Sequence, residues 1–346
     1  MSSIANGVAS TEASGKKRKS AARVVIGLSL GIIGLSVLYL TMGDSMIGLH
    51  RVWQALWGRG GMEDVLIVQT FRAPRLVIGL LVGAALATAG AILQAVIRNP
   101  LAAPDVVGIT GGASFGAVLF LTVLSGVFGR GLLPVAAIVG AFCASALVYI
   151  LAWRKGTDSL RLVLVGIGVA SLLSAGTSFL LTFSPAYSAT SAYIWLTGTI
   201  YGSTWGDVVM LAPWLIVFGI ILYFNTGNLH AQLLGDEIAI GIGSPVQRHR
   251  LLLVSLSVAL AGSAVAIGGS IGFVGLIAPH MARRLVGPVI HRVLPVSALI
   301  GAIVVAAADL IGRTAFLPLD IPVGVFTSAV GAPFFIYLLY RSRRAG

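Results

Sequence analysis

The sequence predicts an all-α integral membrane protein of about ten spanning helices, arranged as an inverted repeat. Three observations carry this. Hydrophobic residues make up 57% of the 346, and only 10% are charged, against roughly a quarter in a soluble domain. The apolar residues fall in windows with few or no charges, most of them long enough to cross a hydrocarbon core. Lys and Arg crowd onto alternate connections, as the positive-inside rule requires of a polytopic chain.

Residues 1–23 read as a polar cytoplasmic tail closed by Lys16, Lys17, Arg18, Lys19 and Arg23. The apolar run from Val24 to Met42 has the flanks of a signal peptide, but it is too long and lacks a small-residue cleavage site. It is therefore an uncleaved first span. Further windows follow at 74–97, 107–124, 132–153, 160–183, 205–224, 250–268, 271–284, 293–312 and 322–340. The membrane domain thus covers 24–341, and 342–346 form a second cytoplasmic tail.

With the N-terminus inside, the five tail cations join Arg98, Arg154, Lys155, Arg161, Arg248, Arg250, Arg283, Arg284, Arg292, Arg341, Arg343 and Arg344 on the cytoplasmic side. Only Arg51, Arg59, Arg72, Arg75, Arg130 and Arg313 fall outside. The eighth window, 271–284, is short and glycine-rich, yet omitting it would carry Arg313 inside and break this parity. A net charge of +12 would suggest nucleic acid in a soluble protein. Here topology accounts for it, so lipid is the expected surroundings and no nucleic acid is expected.

Many of the 44 glycines are four apart, as in Gly27/Gly31, Gly79/Gly83, Gly108/Gly112/Gly116 and Gly268/Gly272, a spacing that lets helix backbones approach in lipid. Gly83-Ala84-Ala85-Leu86-Ala87 runs on to Asn99-Pro100, and Val258-Ala259-Leu260-Ala261-Gly262 runs on to Pro279-His280. These stretches belong to spans two and seven, five crossings apart, so the copies have opposite orientation. Inverted repeats of this kind mark transporters.

Catalytic chemistry is missing. The chain has no G-x-x-x-x-G-K-[ST] phosphate loop, no H-E-x-x-H and no G-x-S-x-G. Cys143, the single cysteine, supports neither a disulfide framework nor a thiolate metal cluster. No grouping of His, Cys and carboxylates would strip and hold a naked metal ion. Asp309 is the one carboxylate clearly within a span, and its i, i+4 spacing to Arg313 reads as a structural pair rather than a proton relay. Neither a catalytic residue nor a bound cofactor or resident metal is expected, and the energy source belongs to another subunit.

The ordered motifs Arg72-Ala73-Pro74-Arg75, Gly83 to Ala87, Gln94, Asn99-Pro100-Leu101-Ala102, Pro104 and Gly108 closely resemble one family. So do Gly272 to Leu276, Pro279-His280, Arg283, Pro295, Gly301, Ala308-Asp309, Arg313, Pro322-Val323-Gly324 and Gly331 to Phe334. It is the permease subunits of ABC importers for iron–siderophore complexes, haem and vitamin B12, the FecCD-type permeases. One departure is Asp320, where the family usually has Glu, which puts the reach of that carboxylate in question.

The resemblance implies a type II importer permease of ten spans in the bacterial cytoplasmic membrane, both termini inside. It pairs with a second permease copy, itself or a paralogue, around a central path. Cytoplasmic ATPase subunits use the ATP, and an extracytoplasmic substrate-binding protein delivers the cargo. Arg72, Arg75 and Arg313 are expected at the outer face as exposed cations that dock acidic residues of the binding protein. Snorkelling or helix capping is the plainer alternative.

Asn99, Pro100 and Leu101 are expected to form a cytoplasmic gate with Asp158 and Ser159, the plainer alternative being an ordinary helix stop. Pro100 disfavours helix at the residue before it. Between spans six and seven, Gly235 and Gly241 bracket a short amphipathic helix, with Gly243 beyond. Asp236 and Glu237 suit its positive end, and Ala239 lies within it. The resemblance makes this the segment that couples to the ATPase. A solvated connector is the plainer alternative. His280 reads as a hydrogen-bonded structural residue, and Trp195-Leu196-Thr197-Gly198 as an interfacial anchor beside a short outer helix.

The reading that results is a permease moving ferric siderophores by alternating access, with cobalamin or haem as the other cargo. An ion-coupled carrier and an intramembrane enzyme are the rivals from other classes.

Overall fold

The structure, a computed structural model, describes residues 2–153 and 159–343. Asp158, the Arg154 and Lys155 of the charge pattern, and residues 344–346 of the expected tail lie outside the described residues. Helices at the ten expected places are α1 (Ser2–Thr41), α2 (Ala73–Ile97), α3 (Ile109–Leu119), α4 (Leu133–Ala152), α5 (Ser159–Phe183), α6 (Trp205–Phe224), α7 (Val246–Gly268), α8 (Val274–Val286), α9 (Ile290–Thr314) and α10 (Val323–Arg343). Among the described residues, eight helices are long and apolar enough to cross a membrane. The other two places hold α8, of 13 residues, and the shorter apolar stretch Val323–Leu338 of α10.

The second span begins earlier than its sequence suggests. Arg72 and Arg75 do not open a helix but sit within a continuous one, Met62–Ile97. Pro74, which has no N–H to donate and crowds the preceding turn, reads as a helix start but stands inside this longer helix. A π-helical turn, Leu66–Arg72, stands just before α2 and widens the ladder there.

α2 and α7 form the centre. In their most apolar stretches 72% and 78% of residues are buried, against 6% in α1, which faces outward. Contact between helices is close because glycine allows it. A Cβ added at Gly83 of α2 would lie 2.1 Å from the carbonyl oxygen of Gly301 in α9, and one at Gly90 would lie 1.8 Å from that of Gly275 in α8. The spacing rule is not uniform, however: an added Cβ at Gly27 meets nothing within 4 Å.

These contacts also give helix direction. Gly83 meets Gly301, and Arg75, eight residues earlier in α2, meets Asp309, eight residues later in α9. The two helices are therefore antiparallel. Spans two and nine can be antiparallel only if the short eighth element counts as a crossing along with its neighbours.

That eighth element is broken. α7 stops at Gly268, and residues 269–273 are irregular before α8 starts at Val274. Irregular backbone at membrane depth must be enclosed by protein, and it is: Ile271 is buried, and Gly198 lies so near Ser270 that an added Cβ would stand 2.7 Å from its carbonyl oxygen. The segment before Gly198 is the helix Ala186–Leu196. Trp195 is buried in the core against Gly269, so it is a packing residue and not the interfacial anchor its sequence suggested.

Replacing Gly83 with Val drives a side chain into the Gly301 backbone and should cost about 3 kcal/mol, the upper end for overpacking. Thermal unfolding in detergent should show a midpoint lowered by roughly 5 °C or more, while Gly27→Val stays close to the parent. Equal midpoints for the two variants would contradict the close α2–α9 contact.

Candidate functional site

α2 is 25 residues long, about 37 Å at 1.5 Å per residue, and each of its ends carries a distinct polar arrangement. At the N-terminal end, Arg75 is gripped by two carboxylates. Its Nε donates to Asp309 Oδ2 at 2.9 Å and its Nη2 to Asp309 Oδ1 at 2.7 Å. Nη1 and Nη2 reach Asp320 at 2.6 and 2.8 Å. The Tyr39 hydroxyl donates to Asp309 as well, which leaves that fully buried carboxylate multiply satisfied. Asp320 therefore spans the distance to Arg75 despite being one methylene shorter than the expected Glu.

Arg72 and Arg313 are held differently. Arg72 donates from Nη1 to Leu40 O at 2.7 Å and from Nη2 to Ser45 O at 2.5 Å. Arg313 lies over the Tyr39 ring, 4.1 Å from its centroid, and donates to the Tyr39 carbonyl. Both guanidiniums use main-chain acceptors, and among the described residues neither forms an ion pair with a carboxylate. Together with Arg75, Asp320, Tyr201 and the Gly43–Ser45 turn they line a cavity of about 360 Å³.

Two corrections follow. Arg72 and Arg75 are 4% and 9% exposed, so they are not the exposed surface cations expected, although they do lie together with Arg313. Asp309 pairs with Arg75 from another helix, whereas Arg313 one turn along its own helix turns to Tyr39. Side chains on α2 reach across because the glycine contact brings the helices within range, and no i, i+4 rule could reveal that.

At its other end α2 closes at Ile97, with Arg98 as a left-handed cap at φ 56°. The last helical residue thus comes two positions before Asn99, the residue that Pro100 restricts. Asn99 Oδ1 accepts from Leu101 N at 2.9 Å, and Ala102 N donates to Asn99 O at 3.1 Å, so Asn99-Pro100-Leu101-Ala102 is a closed turn. Ser159 is the first residue of α5.

The loop between α6 and α7 holds two short helices, Thr226–Leu233 and Asp236–Gly241. Gly235 has φ +100° and Gly243 φ +80°, conformations that suit glycine and set the angle of the second helix. Gly241 is open, with nothing within 4 Å of an added Cβ, whereas Ala239 is fully buried. Asp236 spends its carboxylate on Arg250 at 2.7 Å and Arg98 at 3.2 Å in addition to favouring the helix start.

Sequence reading missed three residues here. Ile238, Ile240 and Ile242 are 55%, 64% and 65% exposed, apolar side chains on the loop helix and its C-cap. Exposed apolar side chains on a short segment outside the spans are a candidate surface for a partner. The signal was present: three isoleucines in a segment not needed to cross the membrane.

A larger groove of about 560 Å³ lies between α3 and α4 and is walled almost wholly by apolar side chains. Its lining carries no charged side chain.

Comparison with known proteins identifies the family. The FecCD transport family profile matches residues 30–341. The achromobactin transport system permease protein of Dickeya dadantii (strain 3937) is 49% identical over 321 residues, covering 93% of this chain and 92% of that one. The iron(3+)-hydroxamate import system permease protein of Bacillus subtilis (strain 168) is 40% identical over 318 residues, covering 90% and 94%. Among solved structures, an inward-facing conformation of a metal-chelate type ABC transporter superposes with a TM-score of 0.83 at 30% identity, covering 92% of this chain and 99% of that one.

The Arg75 cluster predicts a stability effect. Arg75→Gln leaves Asp309 buried without its cation and should cost about 3–5 kcal/mol. Arg75→Met combined with Asp309→Leu should recover at least half of the summed losses of the two single variants. Detergent unfolding measures both, and strictly additive losses would show that the two residues do not act as one unit.

Proposed function

The chain belongs to the FecCD transport family, and on that premise we propose that it is the membrane-spanning permease of an ATP-driven importer for ferric siderophore complexes. It is a multi-pass transport subunit, not an enzyme, and hydrolysis belongs to a separate ATPase. The observation that carries the reading is the separation of two unlike recognition surfaces by one buried helix. The end with Arg72 and Arg313 suits an acidic partner. The end with Ile238, Ile240 and Ile242 suits an apolar cleft.

The first surface is assigned to the extracytoplasmic binding protein. An acidic side chain entering the 360 Å³ cavity meets two guanidiniums that, among the described residues, form no ion pair with a carboxylate. Arg75, already neutralised, holds the cavity wall in place. The second surface is assigned to a cytoplasmic ATPase, which takes up the Asp236–Gly241 helix. Asn99, Pro100 and Leu101, with Asp158 and Ser159, form the gate between them. The permease works as a pair, with itself or a paralogue, in the cytoplasmic membrane with both termini inside. Nucleotide-driven motion at one end then alternates access at the other.

Cargo is assigned from the relatives, whose names specify achromobactin and iron(3+)-hydroxamate. Iron crosses as an intact chelate recognised mainly outside. Deleting the permease should abolish radiolabelled iron uptake from one class of siderophore, and unlabelled amino acids or sugars should not compete. Loss of labelled cobalamin or haem uptake with normal iron uptake would change the cargo, and transport without any ATPase would overturn the class.

Docking is tested separately. Arg313→Glu and Arg72→Glu should each raise by about tenfold the binding-protein concentration that half-maximally stimulates ATPase activity, equivalent to about 1.4 kcal/mol. The effect should be largest at low salt, where charge steering is least screened. Undisturbed stimulation in both folded variants would remove the docking role.

A further inference from the structure

Asp236 is held by arginines from two different helices. Arg250 of α7 is 1% exposed, and its Nη2 donates to both carboxylate oxygens at 2.7 and 2.9 Å. Gln232, whose Nε2 donates to Val246 O at 3.0 Å, lies 3.5 Å from the same guanidinium nitrogen. Arg98 approaches from the end of α2, with Nη2 3.2 Å from Asp236 Oδ1. The residue after Arg98 is Asn99, the first of the closed turn.

The two contacts differ in kind. The Arg250 bond is short and lies against an interior guanidinium, where water does not readily replace it. The Arg98 pair is longer, with its side chains 36% and 34% exposed, and water readily replaces such a contact. Arg98 also carries a left-handed backbone at φ 56°, uncommon for a residue with a Cβ and sustained only by its surroundings. Gly235 completes the arrangement. A Cβ there would lie 3.1 Å from Arg98 Nη1, so glycine leaves the guanidinium room to pass.

We infer that Asp236 and Arg98 are positioning residues that transmit motion of the Asp236–Gly241 helix to the Asn99-Pro100-Leu101 turn. Arg250 is the fixed pivot that keeps Asp236 attached to α7. Arg98 is the contact that makes and breaks, and its release frees the strained cap of α2. This inference rests on the assignment of the Asp236–Gly241 helix to the ATPase and of the turn to the gate.

The test uses the complete transporter in proteoliposomes, with permease, ATPase and binding protein, and reads ATP hydrolysed per ferric chelate transported. Arg98→Gln should raise that ratio at least fivefold while the ATPase still copurifies and the unfolding midpoint stays within 2 °C. Arg98→Lys, which keeps the charge, should return the ratio to within twofold of the parent. Spin labels at Ile238 and Leu101 give a second readout. ATP should still displace the Ile238 label in Arg98→Gln, but no longer the Leu101 label.

Gly241→Trp, placed where the permease itself has open space, tests the underlying assignment. If it uncouples transport while Arg98→Gln keeps the parental ratio, the link is wrong and the ATPase assignment stands. If Gly241→Trp also copurifies its ATPase and transports normally, that assignment fails and the link falls with it. Loss of folding or of ATPase binding in Arg98→Gln, unrescued by Arg98→Lys, would make Arg98 merely structural and overturn the inference.

Discussion

The backbone contact between α2 and α9 is the constraint on which the rest of this molecule depends. In lipid no hydrophobic gain drives one apolar helix onto another, so association relies on close packing and on polar groups that find partners. Gly83 and Gly301 supply the first, each so near the other's carbonyl that no side chain fits. Arg75 and Asp309 supply the second. The glycines bring the helices close enough for the guanidinium to reach its carboxylate, and the ion pair then fixes the register of the same interface. Neither alone specifies it, since glycine contacts can slide by a turn and an unpaired Arg75 would be costly to bury.

That interface explains why charge here is a poor guide to exposure. The sequence places Arg72, Arg75 and Arg313 at one face, and the structure gathers them there. It cannot tell which of them is neutralised, because Asp309 and Asp320 lie more than two hundred positions away from Arg75. Span positions were readable because apolar composition over some twenty residues is a strong, local signal. Parity was readable because arginines obey a side rule, and the antiparallel contact of α2 with α9 agrees with it. Long-range choices were not: the burial of Trp195 against Gly269, or the helix continuing back through Pro74 to Met62, depends on what the rest of the chain presents.

The loop between α6 and α7 shows the same division. Its glycines announced a turn, helix and turn, and Gly235 and Gly243 do take left-handed backbone. The acidic start suggested only a favourable helix dipole. In the fold Asp236 is mainly an anchor, because Arg250 is buried beside it and a buried guanidinium demands a carboxylate. The helix that follows leaves Ile238 and Ile240 exposed, apolar surface that a covering partner would bury.

Where such a molecule can bend is set by the same accounting of strain. A 25-residue helix with most of its side chains buried moves as a rigid strut, since its backbone hydrogen bonds are internal and its flanks are packed. Motion must therefore enter at residues whose conformation is held only by their neighbours. Among the described residues just two non-glycine positions have positive φ, Arg98 and Phe273. Arg98 ends α2 and Phe273 ends the irregular stretch between α7 and α8, so each joins a rigid helix to a short non-helical connection. Strain of this size persists only while the surroundings enforce it. A change of contact at Asp236 alters those surroundings for Arg98 directly, and Gly90 against Gly275 ties α2 to the helix that Phe273 begins. The two strained caps therefore belong to one mechanical unit, with α2 as its shaft.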